Sequence, residues 1–246
     1  SMRFPLPVSR SNLWVGKSHW SVDPMFMGQM KDLLVWDVAL SPAQLDGVRL
    51  GGGLPSTPAP LISMMRTWCG AAPPPSPPSS PPSPPPSPPP SPPLCAVDGA
   101  YTFTGAVTSY LTATSRTGIV GGALGFTLCV WVYRTRTGYS WDRVIDFFGS
   151  PAYDNILLSF NDGPTSNPNP NNGPVIYEVK AEATTWSLSA TTPGSFPANV
   201  WTHIAVVQSR ASLIDAYGPA QIYWNGASVA TTASMRFPLP VSRSNL

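Results

Sequence analysis

The residues able to do chemistry are few. The 246-residue chain has 12 Asp and Glu, 14 Lys and Arg, two His and three Cys. Its only two glutamates are Glu178 and Glu182. Hydrolysis of a glycosidic bond with retention needs two carboxyl groups about 5–5.5 Å apart. Four residues along a strand hold these two about 13 Å apart. His19 and His203 have no Ser or Cys beside them in a nucleophile motif. His203, inside WTHIAVV, reads as a structural strand residue. The reading is therefore that the chain is not an enzyme. Binding is a different matter, because aromatic rings can stack on sugar faces. Tyr139, Trp141, Trp186 and Trp224 are candidate platforms, with burial in the core as the commoner use of such rings.

The elements that would position these side chains are strands. FTLCVWVY (126–133) alternates Phe126, Leu128, Val130 and Val132 with Thr127, Cys129, Trp131 and Tyr133. RVIDFF (143–148), NILLSF (155–160), VIYEVKAE (175–182), TTWSLSA (184–190), WTHIAVVQ (201–208) and AQIYWNG (220–226) follow, with turn clusters at 161–174 and 192–200. Short strands parted by polar turns indicate an all-β sandwich. Near the N-terminus, LWVG (13–16) and MKDLLVWDVAL (30–40) are strand-like. Ser41 followed by Pro42 predicts a capped short helix over 42–49.

Residues 1–13 and 234–246 are the same 13-mer, SMRFPLPVSRSNL, which gives the chain a period of 233. Within one period Arg236 and Arg243 drop out, leaving 12 basic and 12 acidic residues. A neutral repeat has no basic stripe for phosphates, so nucleic acid is not an expected partner. No apolar run is long enough for a membrane span.

Between the globular blocks lies a Gly/Pro/Ser-rich segment, 51–94. Its centre, 73–93, is 15 Pro and 6 Ser. Proline fixes φ, donates no hydrogen bond and disfavours helix in the residue before it. The segment is predicted to be a polyproline II rod, about 65 Å long if straight at about 3.1 Å per residue. Cys69 and Cys95 bracket it, and a straight rod holds them too far apart to bond, since a disulfide needs Cα atoms within about 7 Å. Cys129 falls mid-strand and reads as a small buried hydrophobe.

The block FTLCVWVYRTR…WDRVIDFFGSPAYDNILLSFNDG…VWTHIAVVQ…QIYWNGASVA resembles a laminin-G-like, concanavalin A-like jelly roll. The closing segment of such domains resembles GQMKDLLVWDVALSPAQL (28–45), here near the N-terminus. The end of the domain thus precedes its beginning. With the duplicated 13-mer, this implies tandem repeats. Residues 1–50 then finish a sandwich begun in the preceding repeat, 51–94 are linker, and 95–246 begin the next sandwich. The resemblance implies domain termini that lie close together, hence a Cys69–Cys95 disulfide across periods. It also suggests a Ca²⁺ site in rim loops at Asp146, Asp154 and Asn155, with Asp98, Asn161 and Asp162 as further oxygen donors. The same residues serve equally as turn formers.

SPPPSPPPSPP resembles the hydroxyproline-rich glycoproteins of plant and green-algal walls, the extensin-like and pherophorin-like proteins. This resemblance implies hydroxylation and O-linked arabinose at Pro73, Pro74, Pro75, Pro77, Pro78, Pro81, Pro82, Pro84, Pro85, Pro86, Pro88, Pro89, Pro90, Pro92 and Pro93. Galactose is implied at Ser76, Ser79, Ser80, Ser83, Ser87 and Ser91. An unmodified spacer is the alternative. Together the resemblances imply an extracellular setting: a cell wall, surface appendage or secreted fibre. The expected function is a structural subunit of a glycosylated fibril that associates head to tail with itself. The alternative is a multivalent lectin or adhesin that binds glycans.

Overall fold

The computed structural model describes residues 12–50, 60, 62–64, 99–112, 124–148, 155–161, 174–181, 184–190 and 196–238. They form two antiparallel sheets stacked face to face. One sheet contains β1 (Asn12–Val15), β5 (Leu111–Thr112), β7 (Ser140–Phe148), β8 (Ile156–Asn161), β9 (Val175–Ala181) and β10 (Thr184–Ala190), in the order β10-β9-β8-β7-β1-β5. The other contains β2 (Met27–Trp36), β3 (Ile62–Met64), β6 (Gly125–Arg134), β11 (Trp201–Ser209), β12 (Tyr217–Trp224) and β13 (Ala227–Arg236), in the order β13-β12-β11-β6-β2-β3, with β4 (Tyr101–Thr104) also on β2.

Alternation decides which side chains meet between the sheets. Phe126, Leu128, Val130 and Val132 of β6 face Ile145, Phe147, Ile156, Leu158 and Phe160 in one buried cluster. Leu13 and Val15 of β1 and Met30, Leu33 and Val35 of β2 belong to that same cluster. The N-terminal block is therefore no appendage. β1 pairs with β7 on one edge and β5 on the other, and β2 pairs with β6 along its length. Within the single chain, strands from before and after the proline-rich segment complete one sandwich, where the sequence reading assigns them to sandwiches of successive repeats.

The helix α1 (Pro42–Arg49) forms as the sequence predicts. Ser41 and Gln44 make a reciprocal capping box, and Pro42 opens the first turn. Its apolar side, Leu45 and Val48, covers Leu34, Trp36, Cys129, Ala205 and Tyr223 on the outer face of the larger sheet. Three strands lie beyond those read from the sequence in the domain after the rod: β4, β5 and β13. β13 (ASVATTASMR) lacks alternating apolar residues and pairs because of the turn before it. Asn225 and Gly226 both have positive φ (50° and 88°), the Asn-Gly geometry that closes a two-residue hairpin. A further strand, β3, lies inside 51–94, so the linker is shorter than that block suggests.

β3 and β4 share a lane. The other edge of β2 is occupied by β6, so both lie on the same side of it. β3 pairs Met64 with Leu33, and β4 pairs Tyr101 with Met30. The two run in the same direction, end to end, and together act as one edge strand interrupted by residues 65–100.

Candidate functional site

The outer face of the larger sheet carries an aromatic platform. Antiparallel register aligns Lys31, Trp131 and His203 in one row, and Gln29, Tyr133 and Trp201 in the next. Lys31 Nζ lies 4.7 Å from the Trp201 ring centroid and 5.5 Å from that of Trp131. Tyr133 and Trp201 are 5.6 Å apart, and Trp131 meets His203 edge-on at 5.3 Å. Trp131, Tyr133, Trp201 and Lys31 are half-buried, while His203 is buried. Burial pushes the imidazole of His203 down to about 4, and nearby Arg49 adds to the effect. His203 is thus a neutral strut beneath the platform at ordinary pH. Half-exposed indole and phenol rings in a row are what a sugar face or another apolar surface can stack on. The signal was present in the sequence: the two outward positions ending β6 are aromatic, and so is the residue opening β11.

The second cluster sits on the outer face of the smaller sheet, beneath the β1–β2 connection. Asp146 Oδ2 accepts from the His19 backbone N–H at 3.2 Å and lies 3.0 Å from His19 Nδ1. Arg143 donates to Asp23 Oδ2 at 2.8 Å, and Ser18 donates to that same oxygen at 2.7 Å. Glu178 lies in the same cross-strand row as Asp146, with Leu157 of β8 between them. Ser187 donates to Glu178 at 2.9 Å. Burial raises the carboxyl pKa of Glu178 and lowers the ammonium pKa of neighbouring Lys180. Lys180 Nζ stands 4.1 Å from the Trp20 centroid. Asp23, Asp146 and Glu178 here face Arg143, Lys180 and the His19 imidazole.

Calcium requires six to eight oxygens. At this place Asp146 Oδ1 and Asn155 Oδ1 are buried without hydrogen-bond partners. They are two oxygens, beside a guanidinium whose Nε is 3.8 Å from Asp146 Oδ2. No group of three or more metal-ligating side chains occurs among the described residues. The described members of the expected set do not fit calcium. Asn161 ends β8 on the far side of Ser159, and Asp98, Asp154 and Asp162 lie outside the described residues.

The third cluster joins the sheets. Asp142 accepts from Arg134 Nε at 3.2 Å and lies 3.4 Å from Arg136 Nη2. Arg136 also donates to the Met25 carbonyl. Burial lifts Asp142 to about 6 against the pull of both arginines. Asp142 and Arg134 are fully buried, so removing one would leave an uncompensated charge.

Of the four rings expected as platforms, two are corrected by their placement. Trp224 is 7% exposed and part of the core, and Trp186 packs against that core. Both fall on inward positions of their strands. Tyr139 is exposed under the Arg136 guanidinium, and Trp141 is half-buried against Arg143. Cys129 is buried beneath α1, and burial pushes its thiol pKa up. Glu182, Cys69, Cys95 and Pro73 to Pro93 lie outside the described residues.

Residues 97–246 match the Laminin_G_3 family of the concanavalin A-like lectin/glucanases superfamily. No curated protein and no solved structure matches the chain. No helix among the described residues is long and apolar enough to cross a membrane. The match spans more than half of the chain, and its two stacked antiparallel sheets are those of a jelly roll, so the chain belongs to the concanavalin A-like lectin/glucanases superfamily, a membership that fits a carbohydrate-binding or extracellular role.

Proposed function

We propose that the chain is one period of an extracellular fibril in which β-sandwich beads alternate with O-glycosylated polyproline II rods. The observation that carries this reading is where the two copies of the 13-mer fall. In the second copy, Ser234–Arg236 end β13. Met235 and Phe237 are buried, and Gln208 donates to the carbonyls of Met235 and Arg236. In the first copy, Asn12 and Leu13 open β1 in the other sheet. Read as one passage, the 13-mer ends one strand, crosses, and starts another. β13 packs on β10 through Arg236 and Trp186, and β1 lies four strand positions from β10. That is about 20 Å at the usual strand spacing. The nine-residue step from Arg236 to Asn245 reaches about 30 Å. A continuous repeating chain would therefore pass from β13 into the β1 of the same bead.

Hydroxyproline and serine glycans along 73–93 belong to this proposal. They would hydrate a chain with only 11% charged residues. The Cys69–Cys95 disulfide belongs to it too. These cysteines are five and six residues from Met64 and Tyr101, whose positions opposite Leu33 and Met30 lie about 10 Å apart on one edge. The proposal assigns the chain no catalytic step. Glycan analysis and electron microscopy of the native material test the reading: fibres with sugar-bearing prolines support it, and separate unglycosylated particles refute it.

The aromatic platform favours a second reading, a multivalent lectin in which repetition multiplies weak binding. Trp131→Ala and Trp201→Ala should each lower glycan-array binding at least tenfold while the thermal midpoint shifts by only a few degrees. Unchanged binding would remove the lectin reading.

A further inference from the structure

We propose that the aromatic platform is a docking surface for an uncharged polyproline II strand, and that its occupant is the Ser/Pro repeat of 73–93 from a second copy of the chain. This goes beyond the fibril reading and gives the platform a partner other than sugar. α1 covers the outer face of the larger sheet around Leu34, Trp36, Cys129, Ala205 and Tyr223. The same strands β2, β6 and β11 continue past it into the two platform rows, where Lys31, Trp131, Tyr133 and Trp201 stay half-open to solvent. Exposed Val200 precedes Trp201, and exposed Met27 and Thr102 flank Gln29. The helix therefore makes a step along one side of a shallow aromatic floor.

What fits such a floor follows from its groups. Neither row holds a carboxylate to take paired sugar hydroxyls. The one ammonium, Lys31, lies 4.7 Å and 5.5 Å from the two indole centroids. The rings bring apolar faces together with indole N–H and phenol O–H donors, and Gln29 adds an amide. A polyproline II strand answers each of these. It has no internal hydrogen bonds, so its carbonyls are free to accept. Its conformation is preformed, so seating its proline rings on aromatic rings costs little further ordering. The spacing agrees as well. Trp131 and Trp201 are diagonal neighbours on adjacent antiparallel strands, which sets their Cβ atoms about 7–8 Å apart. One turn of polyproline II, three residues at about 3.1 Å each, is about 9 Å. Prolines three residues apart on one face of the strand thus meet the two indoles. SPPPSPPPSPP (83–93) carries no charge and offers such pairs at Pro85 and Pro88, Pro86 and Pro89, Pro89 and Pro92, and Pro90 and Pro93. Three residues per turn also give the strand three faces, so bare prolines on one can dock while sugars stand on the others. Docking in trans makes no demand on the path between β3 and β4.

The receptor for the test is the full 246-residue chain with glycine at all 15 prolines of 73–93, which keeps the platform and removes the chain's own ligand. The probes are unmodified synthetic SPPPSPPPSPP and its glycine counterpart SGGGSGGGSGG. Titration calorimetry should show saturable binding of the proline peptide and none of the glycine peptide. Trp131→Ala and Trp201→Ala should each weaken that binding at least tenfold. Amide spectra of the receptor with its platform intact give a second reading that needs no platform variant. There the shifts induced by the proline peptide should fall on Gln29, Lys31, Tyr133 and Trp201 and not on β8 or β9 of the other sheet. Absent binding, equal binding of both peptides, or shifts centred elsewhere would overturn the docking. So would binding of oligosaccharides at the platform with none of the peptide, which would give the platform to the lectin reading. The fibril reading stands or falls separately, on the native material.

Discussion

At the scale of single residues, two buried titrating groups oppose each other. His203 has a folded pKa of about 4 against an ordinary 6.5. The unfolded chain binds the extra proton, so this contribution is complete above about pH 6.5 and is lost as pH falls towards 4. Asp142 runs the other way. Its folded pKa of about 6 lies above the usual 3.8, so its contribution is complete below about pH 4 and is lost as pH rises through 6. His203→Gln removes the first slope alone. Relative to wild type, the variant should gain about 3 kcal/mol of stability between pH 6.5 and 4. Urea titrations across that range read it, and parallel pH profiles would show that His203 is not held neutral in the fold. Gly28 combines a positive φ with a close backbone approach. At φ +147° its absent Cβ would stand 2.2 Å from the Tyr133 carbonyl oxygen. Gly28→Ala should push β2 off β6 and lower the thermal midpoint by ten degrees or more, in keeping with the few kcal/mol of a forced backbone clash. A midpoint within two degrees of wild type would contradict the β2–β6 register.

At the scale of elements, α1 covers the part of the larger sheet's outer face around Leu34, Trp36, Cys129, Ala205 and Tyr223. Its capping box is local, so Ser41→Ala should cost about 1 kcal/mol. Leu45→Ala, which opens a hole over Cys129, Ala205 and Tyr223, should cost about 2–4 kcal/mol. Equal losses for the two would mean that α1 is not docked as described; chemical denaturation measures both. This level was the most legible in the sequence. The capping signal set α1 to the residue, and period-two alternation placed β6 through β12 to within a few positions. β13 was missed because Ala, Ser and Thr carry no hydrophobic period, and only its Asn-Gly turn announces it. β3, β4 and β5 were missed because two to four residues are too short for alternation to show. The platform was missed for a different reason. Alternation was used to find the core, and the outward Trp131, Tyr133 and Trp201 were not read as a surface. Trp186 and Trp224 show the converse: which face of a strand an aromatic takes depends on register with strands distant in sequence. The polar cluster was half legible. Asp146 and Asn155 were singled out, but their partner His19 is 127 residues from Asp146, and only the fold brings them together.

At the scale of the whole molecule, the proline-rich segment interrupts a single edge lane of the sandwich. Strands from both sides of it are needed to fill both sheets. The duplicated 13-mer supplies one end to β13 and the other to β1. On the proposed reading, these three features belong to a repeating chain of beads with the proline-rich segment as spacer. The order of the blocks is an expectation from the sequence, in which a domain-closing segment stands ahead of a domain-opening one. The collinearity of β3 and β4 was not, since it follows from how β2 is shared. The most direct test of this account is electron microscopy of the native material. The account predicts long fibres carrying beads at a regular spacing, with density along the rods beyond that of bare polypeptide. Discrete, unconnected particles of sandwich size would contradict it.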